Sequence, residues 1–195
     1  MFKEYLQLNS IVDFNNTKVS KKAKELALNS KDDEEIAKNC FLFVRDKIAH
    51  SGDIKSDIPT LKASEVLEHK VGWCYSKSIL LTALLRANSI PAGFAYQRLS
   101  CSEYEDGIYC LHGLNWIYIK KYGWYRVDAR GNKDGVDAEF TPPIEKLAFN
   151  LGKNEYDIDG NFINPLSEVI DALSKNKTYS KMVNNFPDIK SGYET

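Results

Sequence analysis

Apolar residues recur at helical spacing over the first third of the chain. "SKDDEEIAKNCFLFVRDKIAHS" has an N-cap candidate at Ser30 and acids in its first turn. Ile36, Cys40, Phe43 and Val44 share one face, with Ile48 following, which predicts an amphipathic helix with Cys40 as a core thiol. "KKAKELALNS" predicts a shorter helix capped by Ser20, and "LKASEVLEHK" another that starts near Thr60 or Ser64. A polar loop from Asp53 to Thr60 separates them. The segment "VGWCYSKSILLTALLRANSIPAG", Val71 to Gly93, is different. From about Cys74 to Asn88 its apolar residues, Ile79, Leu80, Leu81, Leu84 and Leu85 among them, cover most of the circumference. A helix of that kind is buried on nearly every side. Pro91 ends it, because the residue before a proline is pushed out of helical geometry.

The period then shortens. "AGFAYQRLS" predicts a strand, and the aromatic, β-branched runs "YCLHGLNWIYI" and "WYRVDA" predict an antiparallel hairpin turning at "KKYG". Beyond Asp137 the pattern is mixed, with a turn at "DIDGN", a last helix in "PLSEVIDALSK" from about Pro165, and a frayed tail after Pro187. Helices first and antiparallel strands afterwards predict an α+β layer fold, the Cys74 helix packed on the sheet.

With 195 residues, 43% hydrophobic and 27% charged, the chain is expected to fold as one domain over residues 1–195. A net charge of -1 gives no electrostatic case for nucleic acid or an anionic membrane as partner. "MFKEYLQLNSIVDF" lacks the apolar core of a signal peptide, and no run approaches the roughly 18 apolar residues of a span. A cytoplasmic protein with reduced thiols is the expectation. On that argument Cys101 and Cys110, which bracket "SEYEDGIY", are expected to stay unpaired. That loop reads as a lid or as plain surface. No CxxC pair occurs among the four cysteines, which argues against a zinc ribbon.

Cys74 opens the buried helix behind Gly72 and Trp73. A helix N-terminus favours thiolate, and the N–H groups that follow can stabilise an oxyanion. The residues alone leave two readings open, a structural thiol or a nucleophile. A nucleophile needs a base held by a third polar group. Of the three histidines, His69 lies on a charged helix and reads as surface. His50 follows a helix end, where a cation suits the dipole. His112 sits inside an aromatic strand beside Gly113. Asp128 is the candidate orienter, with a turn residue as the alternative reading. A two-residue turn at Tyr122-Gly123 puts Asp128 on the wrong face. A loop centred on Lys121 sets it opposite Leu114, on the face of His112.

Taken in order, "LKASEVLEHKVGWC", the Cys74 segment with "LLRANSIPAG", "HGLNWIYI" and "GWYRVDARGN" resemble the transglutaminase-like superfamily of bacterial type, which shares a papain-like core. The resemblance runs from about Val44 to Asn132. Three departures mark it: Gly113 where alanine is common, Trp116 later than the usual tryptophan, and "VDARGN" for "VDPT". It implies a papain-like α+β core with a Cys74–His112–Asp128 triad, and acyl transfer through a thioester. Hydrolysis of a peptide, isopeptide or glutamine-type amide is favoured, since water is always present. A small amine as acceptor would make a transglutaminase instead. An arylamine acetyltransferase-like enzyme, a non-catalytic binding module and a zinc site on the same three residues are the remaining readings. No cofactor or metal is implied. The oxyanion-hole side chain is left open, with Trp73 and His50 as possibilities.

Overall fold

The computed structural model describes residues 2–101 and 107–189. A short 3-10 helix, Lys3–Leu6, leads into α1 (Thr17–Ala27) and α2 (Asp33–Lys47). Both begin on caps other than the serines that the pattern offers. Asn16 accepts the Lys18 N–H at 2.9 Å and Asp32 accepts the Glu35 N–H at 2.9 Å. An amide or carboxylate oxygen at the N-cap is at least as good an acceptor as a hydroxyl, and Asp32 is also reinforced by the helix dipole. On α2, Cys40, Phe41 and Val44 are buried. Phe43 is only half-buried, its ring lying under the ammonium groups of Lys22 and Lys70 at 5.1 and 5.0 Å.

The chain next forms β1 (Ala49–His50), α3 (Ala63–His69) and β2 (Val71–Gly72). β1 and β2 pair in parallel, with His50 opposite Gly72. The start of α3 is fixed by Glu65, whose carboxylate accepts the Leu61 and Lys62 N–H groups at 2.9 and 3.1 Å. Thr60, a predicted cap, instead donates its hydroxyl to the Val71 carbonyl at 3.2 Å, and Ser64 lies within the helix.

α4 (Cys74–Ala87) is the central helix. Every residue from Cys74 to Arg86 is buried. Helices α1, α2 and α3 pack on it from one side, and the sheet from the other. Its two internal cations are tied to backbone oxygen. Arg86 reaches Gln7, Ala92 and Ile163, and Lys77 reaches Arg45 and Ile48.

The sheet contains β3 (Ala92–Ser100), β4 (Tyr109–Ile119), β5 (Gly123–Val127) and β6 (Tyr156–Phe162), in the order β5-β4-β3-β6 with antiparallel neighbours. β6 contains "DIDGN", which is therefore a strand and not the predicted turn. The free edge of β3 needs a partner, and that demand outweighs local turn chemistry. Gly160, at φ 123°, falls beside the register shift between Phe94 and Tyr96. After β6 come α5 (Ser167–Lys175) and α6 (Tyr179–Val183). The segment after α6 is held as far as Ile189; the rest of the tail expected to fray, 190–195, lies outside the described residues. The Pro187 carbonyl accepts the Leu111 N–H at 2.8 Å, and Asp188 pairs with Arg98 at 2.6 and 2.8 Å. The architecture is the predicted α+β arrangement. Among the described residues no helix is long and apolar enough to cross a membrane.

Candidate active site

The β4–β5 hairpin pairs Ile119 with Gly123 and Asn115 with Val127. Continued by one residue, that register sets Asp128 opposite Leu114, on the face of His112. The two side chains meet: His112 Nε2 lies 2.7 Å from Asp128 Oδ2. Asp128 is fully buried and also accepts the backbone N–H groups of Arg130 (3.1 Å, on Oδ1) and Ala148 (3.1 Å, on Oδ2). Phe149 stands edge-on to the His112 ring at 5.0 Å. With Nε2 committed to Asp128, Nδ1 is the ring nitrogen left to serve Cys74, which lines the same cavity. Asn115, three residues on and so on the opposite face, turns away. Its amide donates to Ser78, Thr82 and Gly93 and clamps β4 to α4.

Cys74 is the first residue of α4. Its N-cap, Trp73, brings no side-chain acceptor, which leaves the positive end of the helix facing the sulfur. The Gly113 N–H donates to Cys74 Sγ at 3.5 Å. This closeness depends on glycine: a Cβ at 113 would lie 3.0 Å from the Tyr75 ring and 3.2 Å from Tyr75 Cα. Burial pushes the Cys74 thiol up, but the charge and hydrogen bond of His112, followed by those of His50, bring it well below the ordinary range. For His112 burial opposes protonation, and Asp128 and Cys74 overcome that and raise it. The carboxyl of Asp128 is held down against burial by His112 and the two N–H groups. Both shifts favour a thiolate–imidazolium pair over the neutral pair. Cys40, with burial as the dominant influence, is pushed up to about 12 and is inert by comparison.

His69 lies on the surface, as its helix predicts. His50 does not sit at a solvated helix end. α2 stops at Lys47, and the parallel pairing with β2 turns His50 inward beside Gly72. Its side chain is 7% exposed, its ring stands edge-on to Trp73 at 5.5 Å, and it lines the same cavity as Cys74. Behind it lies Asp53, held by Arg130 at 2.8 Å from each terminal nitrogen and by Lys133 at 3.0 Å. Asp53 and Arg130 had no signal in the sequence beyond lying in loops; their partners are 77 positions apart.

A cavity of about 320 Å³ opens over the sulfur, walled in part by Trp73, Leu99, Phe149 and Phe186. Cys101 and Cys110 form part of the wall as a disulfide, with Cα atoms 6.1 Å apart, contrary to the expectation of free thiols. The reason is register: Leu99 pairs with Cys110, so the adjacent Cys101 is brought to the same hairpin end. The predicted lid or surface loop between them falls largely on residues 102–106, outside the described residues. Among the described residues no group of three His, Cys, Asp or Glu side chains could hold a metal ion. His112 Nε2 is instead taken up by Asp128.

The family model for the transglutaminase-like superfamily matches residues 20–129. No curated protein matches the chain significantly. A solved candidate cysteine protease from Cytophaga hutchinsonii superposes with a TM-score of 0.50 at 21% identity, over 65% of this chain and 40% of that one. The periplasmic domain of TgpA from Pseudomonas aeruginosa gives 0.46 at 20% identity, over 64% and 45%. A solved TGase gives 0.45 at 14% identity, over 92% and 52%. This chain thus spans about half or less of each of those chains. The matched residues 20–129 take in more than half of the chain, the Cys74 helix and both strands of the hairpin among them, and on that ground the chain belongs to the transglutaminase-like superfamily.

Proposed function

We propose that the chain is a thiol-dependent acyl-transfer enzyme that hydrolyses a peptide, isopeptide or glutamine-type amide. Cys74 is the nucleophile, His112 the acid–base and Asp128 the residue that orients His112. One observation carries this reading: Asp128 holds Nε2 of His112 at 2.7 Å, which leaves the other ring nitrogen for Cys74, and His112 and Cys74 line the same cavity. The Cys74 thiolate attacks the amide carbon, a C–S bond forms, and the carbonyl π pair moves onto oxygen. As the C–N bond breaks, the His112 imidazolium protonates the departing nitrogen. The thioester is then attacked by water, whose proton His112 accepts, and cleavage of the C–S bond returns the thiolate. Asp128 keeps the ring aligned throughout.

The apolar walls suit a side chain of a protein or peptide substrate, and a small amine in place of water would give transglutamination. The test is a screen of peptide amides and amine acceptors, with intact-mass detection of acyl-Cys74 and release of ammonia or amine. Turnover that Cys74→Ala abolishes supports the reading; turnover that survives Cys74→Ala overturns it. A cytoplasmic setting is part of the proposal. There the Cys101–Cys110 pair would be reduced, so trapping thiols during cell lysis reads out the compartment.

A further inference from the structure

The acyl-transfer reading accounts for His112 but not for the second histidine at the sulfur. A developing oxyanion needs donors fixed before the reaction begins. At the mouth of α4 the backbone can supply some, because no side chain caps the helix. His50 adds a ring that is 93% buried and lines the same cavity as Cys74, from the β1 side, whereas His112 approaches from β4. His50 Nδ1 faces Asp53 Oδ1 at 3.7 Å, which leaves Nε2 as the ring nitrogen available to the cavity. The ring is also held in place, by Trp73 in an edge-to-face contact and by the carboxylate of Asp53, itself fixed by Arg130 and Lys133. Asp128 already serves His112, so His50 has no part in orienting the base.

We propose that His50 is the side-chain donor of the oxyanion hole. This rests on the acyl-transfer reading. Once Cys74 has attacked, the carbonyl oxygen sits one bond from the carbon on sulfur, inside the cavity that the His50 ring lines. The ring N–H hydrogen-bonds that oxygen while it carries the π pair, and transfers no proton.

Acylation and alkylation of the same thiolate separate this role from a general effect on the sulfur. p-Nitrophenyl acetate reacts through a tetrahedral oxyanion with loss of p-nitrophenolate. Iodoacetamide reacts by displacement of iodide, with no oxyanion. Both rates are measured on the pH plateau, per thiolate, for wild type, His50→Ala, His50→Gln and Trp73→Phe, with Cys74→Ala as the blank. Acylation should fall about 10²–10³-fold in His50→Ala, the scale of losing one such donor, with alkylation changed less than about threefold. His50→Gln, which keeps a side-chain N–H, should recover at least about tenfold. The proposal is overturned if the two rates fall in parallel in both His50 variants, or if Trp73→Phe shows the selective loss instead. If wild-type Cys74 is alkylated but never acylated, the acyl-transfer reading itself fails, and the role of His50 with it.

Discussion

Arg130 holds Asp53 through both terminal guanidinium nitrogens, each at 2.8 Å, while its own backbone N–H donates to Asp128. One residue thus braces the carboxylates behind both histidines. Its side chain is only 3% exposed, so the pair is shielded from solvent screening on that side. Arg130→Lys keeps the charge but loses the two-pronged geometry. It should lower stability by roughly 1–3 kcal/mol, read as a shift in the urea midpoint. An unmoved midpoint would mean that the clasp makes no net contribution.

Cys74 should be alkylated by iodoacetamide at acid pH, below the ~8.5 of a free thiol. The sign follows from the charges: His112 and His50 lower the thiol, so reactivity appears as pH rises through a value below the ordinary one. In His112→Ala the profile should move back toward that of a free thiol, because burial is then less opposed. Peptide mapping identifies the residue, with Cys40 as the internal negative. Profiles that coincide in the two proteins would remove His112 from the pair.

Asp128→Asn should cost more than orientation. Three donors converge on the carboxylate, and an amide must turn its NH₂ toward at least one of them. Turnover should fall by up to about 10⁴-fold, as for the corresponding change in a serine triad, and stability by roughly 1–3 kcal/mol. Near-wild-type turnover would show that the ring is held by something else.

Gly113 and Tyr75 should be coupled. Gly113→Ala puts a methyl against the Tyr75 ring and backbone, and overpacking of this kind costs about 1–3 kcal/mol. Adding Tyr75→Ala removes the ring but leaves the backbone contact, so the double variant should be more stable than the two single costs added together. Additivity in thermal or urea unfolding would place the strain elsewhere.

Lys77 makes stability depend on pH. Burial lowers its amine from 10.5 to about 7. Between those values the unfolded chain binds the extra proton, so stability should rise with pH across that window. Lys77→Met should be less stable, since the Arg45 and Ile48 carbonyls lose their donor. Its urea midpoint should also lack that rise from pH 7 upwards. An identical slope in the two proteins would assign the dependence to another group.

The elements that carry the proposed triad were legible because their signals are local. The all-round apolar run predicted α4, and the alternation around "KKYG" predicted a hairpin with two candidate registers, of which the structure takes the one centred on Lys121. The three residues singled out as nucleophile, base and orienter do come together. What escaped were features decided by distant partners. "DIDGN" has turn chemistry and became a strand because β3 had an edge to fill. His50 has no local sign of its destination; only the bridge to β2, 22 positions later, turns it toward the cysteine. Asp53 and Arg130 stood in loops, and charge alone does not say which loops meet. Cys101 and Cys110 were judged by compartment, where hairpin register was the stronger argument.

The contact between Leu111 and Pro187 bears on how the protein is made. Synthesis runs from the amino end, so α4, both strands of the hairpin and all three residues of the proposed triad leave the ribosome well before Phe186. During that interval the nascent chain can carry a paired thiolate and imidazolium without the wall that Phe186 adds to the cavity. The cleft reaches its full shape only when the segment through Asp188 has been added and locked onto β4 and Arg98.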